Sequence, residues 1–214
     1  MRSHWMRILR KPIEYVGGVT TTDLGGDFSI DISSLDVRLD DVGILFWTGS
    51  TQDNDVTVSG FTIHTNAKLT GANTNYVVAT KVMDGTETSV ATTDGNDLDD
   101  TTVGFVLFRG VTVSGIDINS TGVTNTLPNP PISATMTGVY GLIVVCGHLT
   151  GDTWTSRSSS SGYTDAIDVA KEDFNLSYVR VAYKIVTAQE NPATFGGTSV
   201  FGDSGSHTIT LQEA

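Results

Sequence analysis

Apolar and polar positions alternate in short runs along most of the chain, with Gly, Asp, Asn and Ser between the runs. A period of two marks strands with one buried face. Phe28-Ser29-Ile30-Asp31-Ile32 is one such run, and Ser177–Val186 is another. Val42–Trp47, Val103–Phe108 and Gly138–Cys146 are apolar nearly throughout and read as buried, central strands. Val56–Val58 and Phe61–Ile63 are divided by Ser59-Gly60, and Asn75–Met83 ends at Asp84-Gly85, a hairpin signal. Val111–Val113 and Ile116–Ile118 alternate again, and His207–Leu211 closes the chain. Thr164–Asp173 is the one segment that reads as a helix, of one or two turns. Ser156–Ser161 and Thr124–Pro131 read as loops.

Many short strands with turn signals between them predict an all-β fold, an antiparallel β-sandwich of jelly-roll-like kind. The two halves of the chain echo each other. Gly43-Ile44-Leu45-Phe46 resembles Gly141-Leu142-Ile143-Val144, and Ala79-Thr80-Lys81-Val82 resembles Ala182-Tyr183-Lys184-Ile185. Each of the latter segments meets an acid soon after, Glu87 or Glu190. Two similar halves of a sandwich or convergent strand composition would both produce this echo.

Composition agrees with the pattern. Among 214 residues there are 32 Thr, 23 Val and 19 Asp but only 5 Glu and 5 Lys, which disfavours helices and excludes an all-α protein. The net charge of −12 argues against general nucleic-acid binding, which needs Lys and Arg against phosphate. One Cys excludes an internal disulfide framework and a Cys-rich zinc site. No apolar stretch approaches the length of a bilayer span, so membrane insertion is not expected.

Charge is not spread evenly. Residues 1–11, MRSHWMRILRK, hold Arg2, Arg7, Arg10 and Lys11 and no acid. The other 203 residues hold eight basic and 24 acidic residues. Trp5, Met6, Ile8 and Leu9 add apolar anchors, and Pro12 blocks simple helical continuation. We read residues 1–16 as a basic N-terminal docking arm and residues 17–214 as the β-sandwich domain, with Arg2, Trp5, Arg7, Arg10 and Lys11 as the partner-binding residues.

The succession of the GILFW strand (43–47), YVVATKVMDGTET (76–88) and VGFVLFRGV (103–111) resembles a recurrent β-sandwich module of bacteriophage virion accessory proteins. Phe108-Arg109-Gly110-Val111 and Ala182-Tyr183-Lys184-Ile185-Val186 match its segments best. The likeness covers roughly residues 40–211, and Thr80 stands where the module has Tyr. It implies a jelly-roll-like decoration, head-fibre or tail-appendage protein, and it brings no active site with it.

Candidate chemistry is sparse. Gly202-Asp203-Ser204-Gly205 looks like the nucleophile turn of chymotrypsin-like proteases, but too few residues follow it for a substrate pocket, and it reads as a polar turn into the last strand. In the acidic run 94–100, Asp94, Asn96, Asp97 and Asp99 are the candidate calcium ligands, although the EF-hand order is absent and a solvated loop is the default; Asp53-Asn54-Asp55 is a weaker candidate. No other cofactor is expected. His4, His64, His148 and His207 are dispersed without metal-ligand spacing and read as local hydrogen-bonding residues. Cys146 reads as a buried inert thiol and Trp47 as core, while Trp154 and Tyr163 are the candidate glycan platform.

The expectation is therefore a non-enzymatic structural protein of a phage virion, assembled in the host cytoplasm. It would dock on other virion proteins of capsid or tail through its arm and form a homo-oligomer, a trimer or higher. The alternative is an adhesin that recognises host surface glycans. A hydrolase is the least favoured class.

Overall fold

Runs of β-branched and aromatic residues pair into fifteen strands in the computed structural model, which describes residues 12–23, 27–49, 56–69, 74–93, 101–124, 126–131, 136, 141–172, 176–199 and 202–214. In chain order they are β1 (Glu14–Asp23), β2 (Phe28–Asp31), β3 (Leu39–Gly49), β4 (Thr57–Val58), β5 (Thr62–Leu69), β6 (Thr74–Asp84), β7 (Ser89–Thr93) and β8 (Thr101–Arg109). Then follow β9 (Val111–Thr124), β10 (Gly141–Thr150), β11 (Thr155–Ser158), β12 (Thr164–Lys171), β13 (Ser177–Val186), β14 (Gly196–Thr198) and β15 (Asp203–Glu213).

The first half of the chain supplies one five-stranded sheet, ordered β1-β8-β3-β6-β5, and the second half supplies another, ordered β12-β13-β10-β15-β9. Every pairing within them is antiparallel. The two sheets pack face to face over a shared core that includes Val42, Ile44, Phe46, Leu142, Val144 and Ile209. The outer face of the first sheet is covered by a small sheet, β2-β7-β4, over a second core around Trp47, Phe105 and Leu107. The outer face of the second is covered by Trp154, Phe195 and the segment around β11 and β14. Both faces of the central strands are therefore dry, which is why Val42–Trp47 and the β10 sequence are apolar without alternation. The all-β antiparallel sandwich expected from the sequence is present.

The two sheets are copies of one plan. The echo segments occupy matching strands: Leu45 lies opposite Ala79 in β3–β6, and Val145 lies opposite Ala182 in β10–β13. The edge pairs bulge at the same place. In β5–β6 the register shifts just after Ile63 opposite Ala79, and in β12–β13 just after Asp165 opposite Ala182. Lys81 reaches Glu87 at 2.8 Å, and Lys184 reaches Glu190 at 2.7 Å, so each copy closes the same six-residue step with an ion pair. The sequence echo sets Gly43 against Gly141, but cross-strand pairing sets Gly43 against Ile143. The slip is two residues, and an even slip keeps every side chain on its own face. Gly110, at φ +74°, carries the chain from β8 in one sheet to β9 in the other.

Three expectations are corrected. Thr164–Asp173 is not a helix: Thr164–Lys171 is strand β12. Its bulge puts Asp165 and Asp168 together on Arg180, at 2.7 Å each, while Ile167 enters the shared core. A bulge turns a period of two into a spacing of three, which mimics a helix in sequence. The sandwich begins at Glu14 rather than at residue 17, because Glu14 and Tyr15 already pair with Arg109 and Phe108. The Ser-rich stretch is not wholly loop, since its first part lies in β11.

Leu142 is fully buried in the shared core. Leu142→Ala is expected to cost about 2–5 kcal/mol, read as a lower urea midpoint. An unchanged midpoint would contradict this packing.

Candidate functional site

The strand ends define two poles. At one pole lie Glu14, Leu39, Asp84, Arg109, Gly141 and Val186; the arm precedes it in sequence. At the other lie Gly49, Thr74, Thr101, Thr150, Ser177 and Asp203. The sheets meet at this second pole through Thr74 and Thr150, whose hydroxyls are 2.6 Å apart, and Thr102 and Ser177, at 2.5 Å. The segments 50–55, 94–100 and 173–175 all join strands at the second pole, and with Asp23, Asp27, Asp152, Glu172 and Asp203 they hold half of the 24 acids.

The arm pole carries the exposed apolar surface. Leu39 is 68% exposed, Ile185 47% and Val82 45%, and these are the large apolar side chains that stand out among the described residues. Val82 and Ile185 are matching positions of the two copies, each next to its Lys. One cavity of about 300 Å³ is lined by Pro12, Arg38, Leu39, Asp40 and Gly110 among others. A second, of about 270 Å³, is lined by Pro12, Ile13, Ile185 and Glu213.

A charge clamp braces this pole. Arg109 donates from Nε and Nη2 to the two carboxylate oxygens of Asp41, both at 2.8 Å, and also to the Asp36 carbonyl oxygen at 2.8 Å. Asp41 is 1% exposed and also accepts the Arg38 backbone N–H at 2.9 Å. The bidentate contact raises the Arg109 pKa further. In the sequence Arg109 stands out only as part of the Phe108-Arg109-Gly110-Val111 segment. Asp41, just before the buried GILFW run, was the signal that a buried carboxylate needed a partner.

Toward the second pole the space between the sheets turns polar. His148 and His207 are buried with ring centroids 5.0 Å apart, and Tyr76 packs on His148 at 4.9 Å. His148 Nε2 lies 3.2 Å from Cys146 Sγ, and His207 Nδ1 lies 2.7 Å from Ser120 Oγ. Burial lowers both imidazoles, His148 well below its ordinary value and His207 to about 3, and pushes the Cys146 thiol well up. The pair is thus a neutral thiol beside a neutral ring, without the thiolate that nucleophilic chemistry needs. A base as weak as His207 is poorly matched to general-base work on Ser120 at neutral pH. The three described His do make local hydrogen bonds, His64 through Nε2 to Thr80 Oγ1 at 2.7 Å. What the sequence could not show is that pairing of β10 with β15 brings two of them into contact.

The glycan platform is corrected. Trp154 is fully buried: its Nε1 donates to the Gly196 carbonyl at 3.1 Å, and its ring meets Tyr178 and Phe195 edge-on. It offers no face to a sugar. Tyr163 is 8% exposed and lies beneath the Lys184 amine, 5.8 Å from its ring centre. Ser204 is not in a turn but buried in β15, and lies three residues from His207, hence on the opposite sheet face. Among the described residues no group of three or more His, Cys, Asp or Glu is placed to hold a metal ion. Arg2, Trp5, Arg7, Arg10 and Lys11, and the candidate calcium ligands Asp94, Asn96, Asp97 and Asp99, lie outside the described residues. In comparisons with protein-family models, curated proteins and solved structures, nothing matched the chain.

Proposed function

We propose that this chain is a non-enzymatic structural subunit of a bacteriophage virion that docks by its arm pole and projects its acid-rich pole outward. The observation that supports this most is the polarity of the sandwich. Leu39 and Ile185 are exposed at the pole that the basic arm precedes in sequence, and half of the acids belong to the strand ends of the other pole and the segments that join them. Surfaces with apolar patches are apt for contact, and strongly acidic ones for staying solvated. The buried His148, His207 and Cys146 are held neutral and inward, which favours a structural role. Repetition of weak contacts around a symmetric particle supplies avidity, and we propose a homo-oligomer, a trimer or higher, in that setting.

Deleting residues 1–11 tests this reading. The variant is expected to keep its β-rich circular dichroism, yet to be missing from virions assembled with it as the sole copy. Normal incorporation of the variant would overturn the reading. Light scattering on the full chain beside the deletion gives the oligomer: a monomer in both would sink self-assembly.

A further inference from the structure

We propose that residues 1–11 fold back over the arm pole of their own sandwich in the free protein, with Trp5 covering the apolar surface between Leu39 and Ile185. The proposal concerns the isolated chain and stands whether or not it joins a virion.

Three observations carry it. The first is the surface itself. Leu39 and Ile185 are the most exposed large apolar side chains among the described residues, and each lines one of two cavities that share Pro12. Pro12 immediately follows the arm, so the chain is delivered to both cavities by its own tether. The second is reach. Trp5 precedes Pro12 by seven residues, which spans up to about 23 Å when extended. Five strands cover about 19 Å from edge to edge, so Trp5 can reach any point on the pole.

The third is chemical fit. The segment offers Trp5, Met6, Ile8 and Leu9 with four cations and no acid. The first cavity is lined by the exposed carboxylates of Glu14 and Asp40. Its own cations, Arg38 and Arg109, are already engaged by Asp36 and Asp41. Exposed ion pairs contribute little each, so they set the direction of the arm while the aromatic ring supplies most of the burial. A tethered ligand acts at an effective concentration near millimolar, and modest contacts then suffice.

Tryptophan fluorescence tests this cleanly. Trp47 and Trp154 are fully buried, so acrylamide quenching reports on Trp5, and Trp5→Phe supplies the background of the other two. In the full chain, Trp5 is expected to be quenched several-fold less than a free indole, independently of protein concentration. In the double variant Leu39→Asp, Ile185→Asp, whose sites are on the surface, quenching should rise to the free-indole level with the circular dichroism unchanged. Trp5 quenched like free indole in the full chain would overturn the proposal. Protection that survives the double variant would overturn it too, as would protection lost on dilution, which would assign the contact to a second copy.

Discussion

Replacing Arg109 with alanine is expected to destabilise the sandwich by about 3–5 kcal/mol, the cost of stranding a buried charge. Asp41 is 1% exposed, and two of its hydrogen bonds come from the Arg109 guanidinium. Without them only the Arg38 backbone N–H remains among the bonds described for that carboxylate. The same side chain also ties β8 to the Asp36 carbonyl and to Glu14 on β1, at 3.6 Å. Urea unfolding of Arg109→Ala, Asp41→Ala and the double variant measures the coupling. We expect the double variant to lose far less than the sum of the two single losses. Strict additivity would mean the clamp does not act as a unit.

Acid should undo this protein early, and two imidazoles should account for most of it. His148 and His207 stay neutral in the folded protein because burial opposes their charged form, and His207 titrates there only near pH 3. In the unfolded chain each titrates near 6.5. As pH falls through 6.5 the unfolded state binds protons that the folded state refuses, so stability drops. Below pH 6.5 the slope from His207 rises toward about 1.4 kcal/mol per pH unit, and His148 adds to it in the same direction. By pH 4.5 the loss from His207 alone is about 2.7 kcal/mol, a sizeable part of the stability of an ordinary domain, and His148 adds to it.

The groups facing these rings are Tyr76 from β6, Cys146 from β10 and Ser120 from β9, none of them a carboxylate able to hold a proton on either ring. His64, exposed but lowered by partial desolvation, adds to the slope in the same direction. Glu87, held near 2 despite burial by the Lys81 ammonium and backbone N–H groups, loses its contribution only below its unfolded value near 4.5. The measurement is unfolding free energy against pH for the parent and for His148→Gln with His207→Asn. The variant's mean slope between pH 6.5 and 4.5 should be shallower by more than about 1 kcal/mol per unit. Parallel curves would show that the rings do not govern the acid limb.

Much of the fold was legible in the sequence. β13 was read to the residue, and β3, β6, β8 and β10 were recognised from their apolar runs, because a strand covered on both faces leaves no ambiguity about burial. The echo of Lys81 and Lys184 left duplication and convergent composition open in the sequence, and the structure adds matched bulges and ion pairs to it. What the pattern concealed were its interruptions. β1 was missed because Gly17 and Gly18 break its alternation; a Cβ on Gly18 would come within 3.1 Å of Ile167. β12 was mistaken for a helix through its bulge. The candidate site was less legible. Trp154 beside a Ser-rich stretch looked exposed, but the local sequence did not announce that Phe195, forty-one residues on, closes over it. The Arg109–Asp41 clamp spans 68 residues, and pairing at that separation has no local signature.

The division of one sheet per half has a consequence for the chain as it is made. The first sheet is complete once Arg109 has emerged, while the second is assembled from residues beyond Gly110. At 5–20 residues per second, the next hundred residues take roughly 5–20 s to synthesise. Through that interval the face bearing Val42, Ile44, Phe46, Val106 and Phe108 has no second layer to meet. A finished sheet with a bare apolar face can also pair with its like on a neighbouring ribosome, so crowded translation of this chain carries a risk of cross-chain assembly that slower initiation or a holding chaperone would relieve.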